Sequence, residues 1–242
     1  MIVNMKEKGW EIIFQRAHGL LAAKLADKIR EELWPPPQYR VDTLAAIAEH
    51  DDGQPGWEGK NHISDTGAPL NFTFHGVDLK QARKVVQNGI YKSKWIALLT
   101  SMHTSSLYAP FADREEVATF LNEQEAHQKK LRHYLSISKE EVEKHYKLMR
   151  WCDEFSLILC QDRIPKGGKK LEIGKLPDGT SRWVYAKESL LVVTPWCFEE
   201  KEVEVYTEAR GLEKLSFRDD KELLAAIRAE KPYYKKWTLV PN

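Results

Sequence analysis

Five ionisable side chains of this chain occupy positions where helical periodicity favours apolar residues. They are His18, His50, Asp51, His103 and Asp153. Burying an ionised carboxylate without a partner costs several kcal/mol, so two inward-facing aspartates need a compensating positive charge. Neutral imidazoles and carboxylates are ligands that divalent cations take from proteins. The pattern therefore predicts a metal site inside a bundle of helices.

The apolar residues around these side chains recur at helical spacing. Helices are predicted over residues 17–33, 42–52, 93–107 and 138–161. Each candidate ligand lies three, four or seven residues from apolar positions of its own helix, and such positions share one face. Ser138 and Glu141 have the spacing of a capping box, which supports the start of the fourth helix. We therefore expect the ligands to point into the bundle.

The order of the candidate ligands resembles that of the HD-domain metal-dependent phosphohydrolase superfamily. The residues that carry this resemblance are His18, the doublet His50-Asp51 and the distal Asp153. In that superfamily the corresponding side chains bind one metal ion, and two further histidines between the doublet and the distal aspartate bind a second. His75 and His103 lie in this interval, and His103 alone of the two has helical periodicity around it. The resemblance implies a site for one or two divalent ions of iron, manganese or magnesium.

A narrower resemblance extends over nearly the whole chain. The segments that carry it are residues 1–3, 10–15, 50–53, 57–58, 101–103, 153–157 and 195–198, together with His18. They resemble a prokaryotic family catalogued as a domain of unknown function, in which a His-Asp-Asp-Gly signature is followed by Trp-Glu. That family brings no known reaction, so the expected chemistry comes from the broader superfamily.

The sequence after the doublet departs from the superfamily pattern. Many HD enzymes continue with glycine and then a lysine or histidine that helps to hold phosphate, whereas this chain continues with Asp52, Gly53 and Gln54. Phosphate binding must then come from other basic residues. Arg16 and Lys94 are the candidates, because guanidinium and ammonium groups stabilise phosphoryl oxygens. The alternative is that both are ordinary surface charges.

The loop after the doublet holds the other candidate site residues. Asp52 or Glu58 could orient a metal-bound water or accept its proton, and Trp57 would lie at the mouth of the site. Alternatively, Asp52 only ends its helix and Trp57 packs as a lid without touching substrate. Residues 53–76 contain five glycines and two prolines, which predicts a long irregular segment at the wall or cover of the pocket.

Length, charge and cysteine content limit the class of protein. The chain has 242 residues, of which 42% are hydrophobic and 30% charged, enough for the core of one elaborated domain. The net charge of +1 argues against a dedicated nucleic-acid or membrane-surface binder, since such binding needs a strong basic excess. The three cysteines lack metal-ligand spacing and are expected to be reduced, buried thiols. We therefore expect a cytoplasmic protein that does not span a membrane.

The predicted fold class is α+β, mainly α, with an HD-like helical core over residues 17–161. Beyond that core the periodicity changes to that of strands, and the short basic run Lys235-Lys236 is interpreted as a solvated loop. Strands are expected over residues 171–173, 182–185, 190–194 and 203–207, with a hairpin in the first 14 residues and a last helix over 219–230. The segments 1–15 and 171–242 should form one antiparallel sheet on the core, which makes the chain a single domain.

Two classes of enzyme and one class of binding protein fit these observations. The first is a hydrolase that acts on a phosphoester or nucleotide through a metal-activated water, with a small phosphorylated molecule as its partner. The second is an HD-fold di-iron oxygenase that cleaves a C–C or C–P bond. The spacing of His75 and His103 resembles the spacing of histidines in such enzymes. The third is a metal- or ligand-binding protein without turnover. The hydrolase is the favoured interpretation, and the oligomeric state is not predicted.

Overall fold

The computed structural model describes residues 1–34, 36–52, 62–74 and 76–242. The helices in this part of the chain are α1 (Gln15–Lys28), α2 (Arg40–Glu49), α3 (Leu79–Ile90), α4 (Lys94–Tyr108), α5 (Glu115–Leu135), α6 (Lys139–Cys160) and α7 (Asp220–Ala229). The strands are β1 (Ile2–Lys6), β2 (Gly9–Ile13), β3 (Leu171–Lys175), β4 (Ser181–Lys187), β5 (Leu190–Thr194), β6 (Val203–Leu212) and β7 (Tyr233–Val240). The predicted α+β class, mainly α, is confirmed.

The long helices form a bundle. α1 packs against α2 and α6, and α4 packs against α2, α3, α5 and α6. Their shared core contains buried side chains from several helices, among them Leu21, Trp95, Leu148 and Phe155. Burying an apolar side chain of this size stabilises the fold by about 2–3 kcal/mol relative to leaving it exposed. Packing of the apolar faces therefore holds the backbone positions that carry the polar candidates. Among the described residues, no helix is both long enough and apolar enough to cross a bilayer.

One seven-stranded sheet combines the N-terminal hairpin with the later strands, in the order β1-β2-β6-β7-β5-β4-β3. The pairing of β2 with β6 makes the expected connection between the two regions. Neighbouring strands run antiparallel except β5 and β7, which are parallel. β6 also contacts α1, which places the sheet against the helical bundle.

Side-chain caps define the starts of four described helices, α3, α4, α6 and α7, where the α7 cap is Asp219. The Ser93 side chain caps α4, and Ser138 and Glu141 form the expected capping box at α6. Asp78 caps α3 by accepting a hydrogen bond from the backbone N–H of Gln81, and this helix was not predicted. Each cap satisfies an N–H group that has no partner within its own helix.

α1 ends earlier than the sequence predicts. Its last residue is Lys28, and Ile29 takes an extended conformation and forms an isolated β-bridge with Phe198. A separate short helical turn follows at Glu31–Leu33. The helix therefore ends where the backbone becomes extended at Ile29.

The prediction of a solvated loop at Lys235-Lys236 was wrong, because both residues lie in β7. The Lys235 ammonium is largely buried and lies 2.7 Å from a carboxylate oxygen of Glu11 and 2.7 Å from one of Asp162. These acidic partners are distant in the sequence, so a local view of the basic pair could not find them. The ion pairs connect β7 with β2 and with the residues that follow α6.

Replacing Glu11 by glutamine is expected to destabilise the fold by about 2 kcal/mol at neutral pH, since charged hydrogen bonds are lost. The buried carboxylate accepts hydrogen bonds from Lys235, Tyr233 and Asn4. Burial works to raise the pKa of Glu11, but these bonds outweigh it and lower the pKa to about 2. Because the folded pKa lies below the unfolded value, the stabilisation is complete above about pH 4.5 and is lost as the pH falls towards 2.

Urea denaturation of the wild type and of Glu11→Gln at neutral pH and at about pH 3 measures this dependence. Glu204→Gln is the matched control, because Glu204 lies on β6 and pairs with Lys236, with both side chains 55% exposed. The control should lose less than about 1 kcal/mol. An equal loss for Glu11→Gln at both pH values would contradict the assigned role of its charge.

Candidate metal centre

Four helices bring the five candidate ligands of the sequence together. α1 contributes His18, α4 contributes His103 and α6 contributes Asp153. His50 caps the C-terminus of α2, and Asp51 follows it directly. The histidines are only 0–3% exposed, and the two carboxylates keep slightly more exposure, 16% and 13% of the side chain. The cluster is therefore closed on its imidazole side and reached most easily past its carboxylates.

The ligand atoms lie at separations that suit one ion. The Nε2 atoms of His18 and His50 are 3.1 Å apart, and Asp153 Oδ1 lies 3.3 Å from the first and 3.1 Å from the second. Asp51 Oδ2 lies 3.5 Å from His18 Nε2 and 3.8 Å from His50 Nε2. Two ligands at about 2.1 Å from a common ion are about 3 Å apart at a right angle and about 4 Å apart on opposite sides. All of the observed separations fall within this range.

The ring of His50 is held in the orientation that a metal ligand needs. Its Nδ1 lies 2.7 Å from the backbone oxygen of Ile47, one turn back in α2. Nδ1–H donates this hydrogen bond, so in the neutral ring the lone pair is on Nε2, the atom that faces the cluster. The Nδ1 atoms of His18 and His103 are buried and have no hydrogen-bond partner among the described residues.

The electrostatics of the cluster favour a cation at its centre. Burial works to lower the pKa of His50, but the negative charges of Asp153 and Asp51 outweigh it and raise the pKa to about 10. Burial likewise works to raise the pKa of Asp153, yet the His50 charge and hydrogen bonds from His18 and His50 hold it well below its ordinary value. The pKa of Asp51 is lowered for similar reasons. Without a metal, a protonated histidine supplies the positive charge that the two carboxylates require.

His103 forms a second potential ligand group with His50 and Asp153. Its Nε2 lies 3.9 Å from Asp153 Oδ2, whereas Asp153 Oδ1 faces His18 and His50. Burial, followed by the charge of His50, lowers the pKa of His103 to about 4. Its ring is therefore neutral near pH 7, the form in which histidine binds metals. The two ligand groups are His18, His50 and Asp51, and His50, His103 and Asp153, and each could hold a metal ion.

Gly19 allows α1 and α2 to approach closely beside the ligands. A Cβ atom at this position would lie 2.5 Å from the backbone oxygen of Ala48 and 3.7 Å from the His50 ring. The first distance is too short for any side chain, so the close approach needs glycine. The sequence analysis missed this residue, although a glycine inside a helix next to a candidate ligand is a visible signal.

Gln15 is a second residue that the sequence analysis missed. It begins α1, is 5% exposed, and its Nε2 donates a hydrogen bond of 2.9 Å to Asp51 Oδ2. Its Oε1 is buried and has no hydrogen-bond partner in the described ranges. Gln15 lies three residues before His18, a spacing that shares a helix face, and this spacing was the available signal.

Replacing Gln15 by leucine is expected to weaken metal affinity about 10- to 100-fold, because the donor that fixes Asp51 is lost. Titration of the metal-free protein in competition with a chelator measures the change. Gln124→Leu is the matched control, since Gln124 is also a buried amide and accepts its hydrogen bond from Ser101 on α4. The control should lose stability and keep its metal affinity. Equal affinity of Gln15→Leu and wild type would exclude a role for Gln15 at the site.

The remaining predicted site residues lie in different places. The Arg16 Nε is 3.6 Å from Asp52 Oδ1, so these two candidates face each other. Asp52 directly follows Asp51 in the sequence, and Arg16 lies two residues before His18. Burial, the largest influence, raises the pKa of Asp52. Lys94 is exposed at the start of α4, where its ammonium lies 5.4 Å from the ring centre of Tyr134, and it is not brought to the cluster. Trp57, Glu58 and His75 lie outside the described residues.

Fold and site together define an α+β protein, mainly helical, with a buried His/Asp cluster that could hold a metal ion. The chain belongs to the family described as "Protein of unknown function (DUF3891)", whose family model matches residues 1–214. The match spans all five candidate ligands and β1 to β6. No curated protein and no solved structure matches the chain.

Proposed function

We propose that the protein is an HD-type metal-dependent hydrolase that acts on a phosphoester or nucleotide. The observation that carries the proposal is the convergence of two histidines and two aspartates. The Nε2 atoms of His18 and His50 lie 3.1 Å apart, and Asp51 and Asp153 each place a carboxylate oxygen 3.1–3.8 Å from both. The order of these residues resembles the HD superfamily, and their donor atoms are those that a divalent cation prefers. The cation would be held by these four side chains, with His103 available to a second ion.

A bound divalent ion would lower the pKa of a coordinated water and neutralise charge on phosphoryl oxygens. The residues of the chain have complementary roles in this proposal. His50, fixed by its hydrogen bond to Ile47, presents a lone pair to the ion. Asp52 accepts a proton, because burial raises its pKa and makes it a better base. Arg16, next to Asp52, offers its guanidinium to the phosphate.

The other predicted contacts extend this proposal. Four roles stay predictions: a second base at Glu58, a position at the mouth of the site for Trp57, a phosphate contact at Lys94 and a further ligand at His75.

The three cysteines Cys152, Cys160 and Cys197 are free and buried, as expected of thiols in a reducing compartment. We propose a cytoplasmic location on that basis.

A di-iron oxygenase is the second candidate function, and the ligand group of His50, His103 and Asp153 favours it. Asp153 presents one oxygen to His18 and His50 and the other to His103. A carboxylate placed in this way suits two neighbouring ions. Two irons would allow chemistry with oxygen, whereas magnesium has no accessible redox change.

Elemental analysis of the purified protein, followed by assays with p-nitrophenyl phosphate and bis(p-nitrophenyl) phosphate, tests the proposal. We expect at least one divalent ion per chain and phosphate release that a chelator abolishes and the same metal restores. Oxygen consumption by the iron-loaded protein without phosphoester hydrolysis would favour the oxygenase. A stoichiometric metal without either activity would indicate a binding protein, and absence of bound metal under saturating conditions would overturn the proposal.

A further inference from the structure

A cavity lies beside the start of α6 and has a volume of about 480 Å³. It is bordered by residues from the segment before α2, by the turn between α5 and α6 and by the turn after β3. Its walls include the aromatic rings of Trp34 and Tyr39 and the imidazole of His145. The volume is in the usual range for small-molecule pockets, roughly 300–1,000 Å³.

His145 is a largely buried side chain for which the described part of the chain supplies no hydrogen-bond partner. It is 5% exposed and lines the cavity, and neither ring nitrogen has a hydrogen-bond partner among the described residues. Burial lowers its pKa to about 4, so the ring is neutral near pH 7 and carries one donor and one acceptor nitrogen. Either nitrogen can therefore form a hydrogen bond with a molecule in the cavity that His145 lines.

The aromatic walls are held in fixed orientations. Tyr39 stacks on Trp95 with ring centres 4.0 Å apart and planes 8° from parallel, and Trp95 also meets the edge of His145. The Trp34 indole N–H donates a hydrogen bond to the backbone oxygen of Ile29, and the Arg40 guanidinium lies 4.7 Å from its ring centre. The rings of Trp34 and Tyr39 both line the cavity, and aromatic rings held in place favour stacking with a flat aromatic ligand.

We propose that this cavity binds a small planar heteroaromatic molecule of nucleobase size, which stacks on the aromatic walls and forms a hydrogen bond with His145. The site is separate from the metal centre. His145 lies eight residues before Asp153 on α6, and Trp95 lies eight residues before His103 on α4, which is about 12 Å along each helix. Binding should therefore occur with or without a metal ion.

Adenine is the probe for the test, and cyclohexanol is the non-aromatic control. We expect adenine to shift the NMR signals of the His145 ring and the Trp95 indole N–H in a saturable way, in the metal-free and the metal-loaded protein alike. Cyclohexanol should leave these signals unchanged. Absence of saturable shifts with adenine would overturn the proposal, as would binding of tetramethylammonium in its place, which would indicate a cation site.

Two substitutions separate the hydrogen-bond contribution to adenine binding from the stacking contribution. His145→Phe keeps an aromatic edge against Trp95 and removes both nitrogens, so we expect adenine affinity to fall about three- to tenfold. Tyr39→Leu removes one stacking surface and should weaken binding by a similar factor. His127→Phe, a histidine substitution on α5, should leave affinity unchanged.

Metal content should be the same in the wild type, His145→Phe and Tyr39→Leu, which distinguishes a change in this cavity from damage to the metal centre. Unchanged adenine affinity in both cavity variants would show that the probe binds elsewhere and would overturn the assignment.

Discussion

Replacing Asp153 by asparagine should reduce metal affinity by at least about 100-fold, more than the loss expected for a residue that only supports a ligand. Asp153 is the residue whose two oxygens face different histidines, with Oδ1 near His18 and His50 and Oδ2 near His103. Asparagine has nearly the same shape and loses the negative charge. The purified variant is therefore expected to fold and to contain less than about a tenth of the metal of the wild type.

Glu154→Gln is the control for this experiment. Glu154 is the next residue on α6, and its carboxylate pairs with Arg163 at the surface. Its substitution removes the same charge from the same helix and should leave the metal content unchanged. Elemental analysis after dialysis gives the metal content, and circular dichroism confirms that each variant is folded. Full metal occupancy in Asp153→Asn would refute the assignment of Asp153 as a ligand.

Replacing Gly19 by alanine is expected to destabilise the fold by about 1–3 kcal/mol and to reduce metal affinity more than tenfold. In a helix interior, alanine is more stable than glycine by about 1 kcal/mol. A lower free energy of unfolding for Gly19→Ala would therefore show that the close contact between α1 and α2 outweighs helix propensity. The new methyl group would lie 2.5 Å from the backbone oxygen of Ala48, and this contact can be relieved only by moving α1 away from α2. That movement would separate His18 from His50.

Gly211→Ala on β6 is the matched control, because a Cβ at Gly211 would meet no atom within 4 Å among the described residues. Thermal denaturation should show a midpoint several degrees lower for Gly19→Ala, since 1 kcal/mol corresponds to about 2–4 °C in a domain of this size. The control should stay within about 2 °C of the wild type. A stabilised Gly19→Ala protein with normal metal affinity would show that helix propensity outweighs the close contact.

Helical periodicity was sufficient to find the five clustered side chains, because each lies in phase with apolar residues that must be buried. It could not find Gly19, whose role depends on the backbone of α2, a separate part of the chain. Gln15 was missed because the predicted start of the first helix was residue 17, so its phase was not considered. Both residues make contacts with a separate element, and a local sequence pattern carries no information about such contacts.

The sheet was predicted only in part, because some of its contacts also join segments that are distant in the sequence. Strands formed by a short apolar run, such as β5, were found with the correct bounds. β7 was missed because Lys235-Lys236 has the composition of a solvated turn, and its burial depends on Glu11 and Asp162. The predicted connection of the N-terminal hairpin with the later strands was confirmed by the pairing of β2 with β6.

His18 and Asp153, which lie 3.3 Å apart, are separated by 135 residues of sequence. A nascent polypeptide therefore cannot bring these two side chains together until α6 has been synthesised, so the proposed metal ion could be captured only after that point. An ion held by both residues would also act as a cross-link that closes a long loop, which reduces the entropy of the unfolded chain. Metal loading should for this reason stabilise the helical bundle against unfolding.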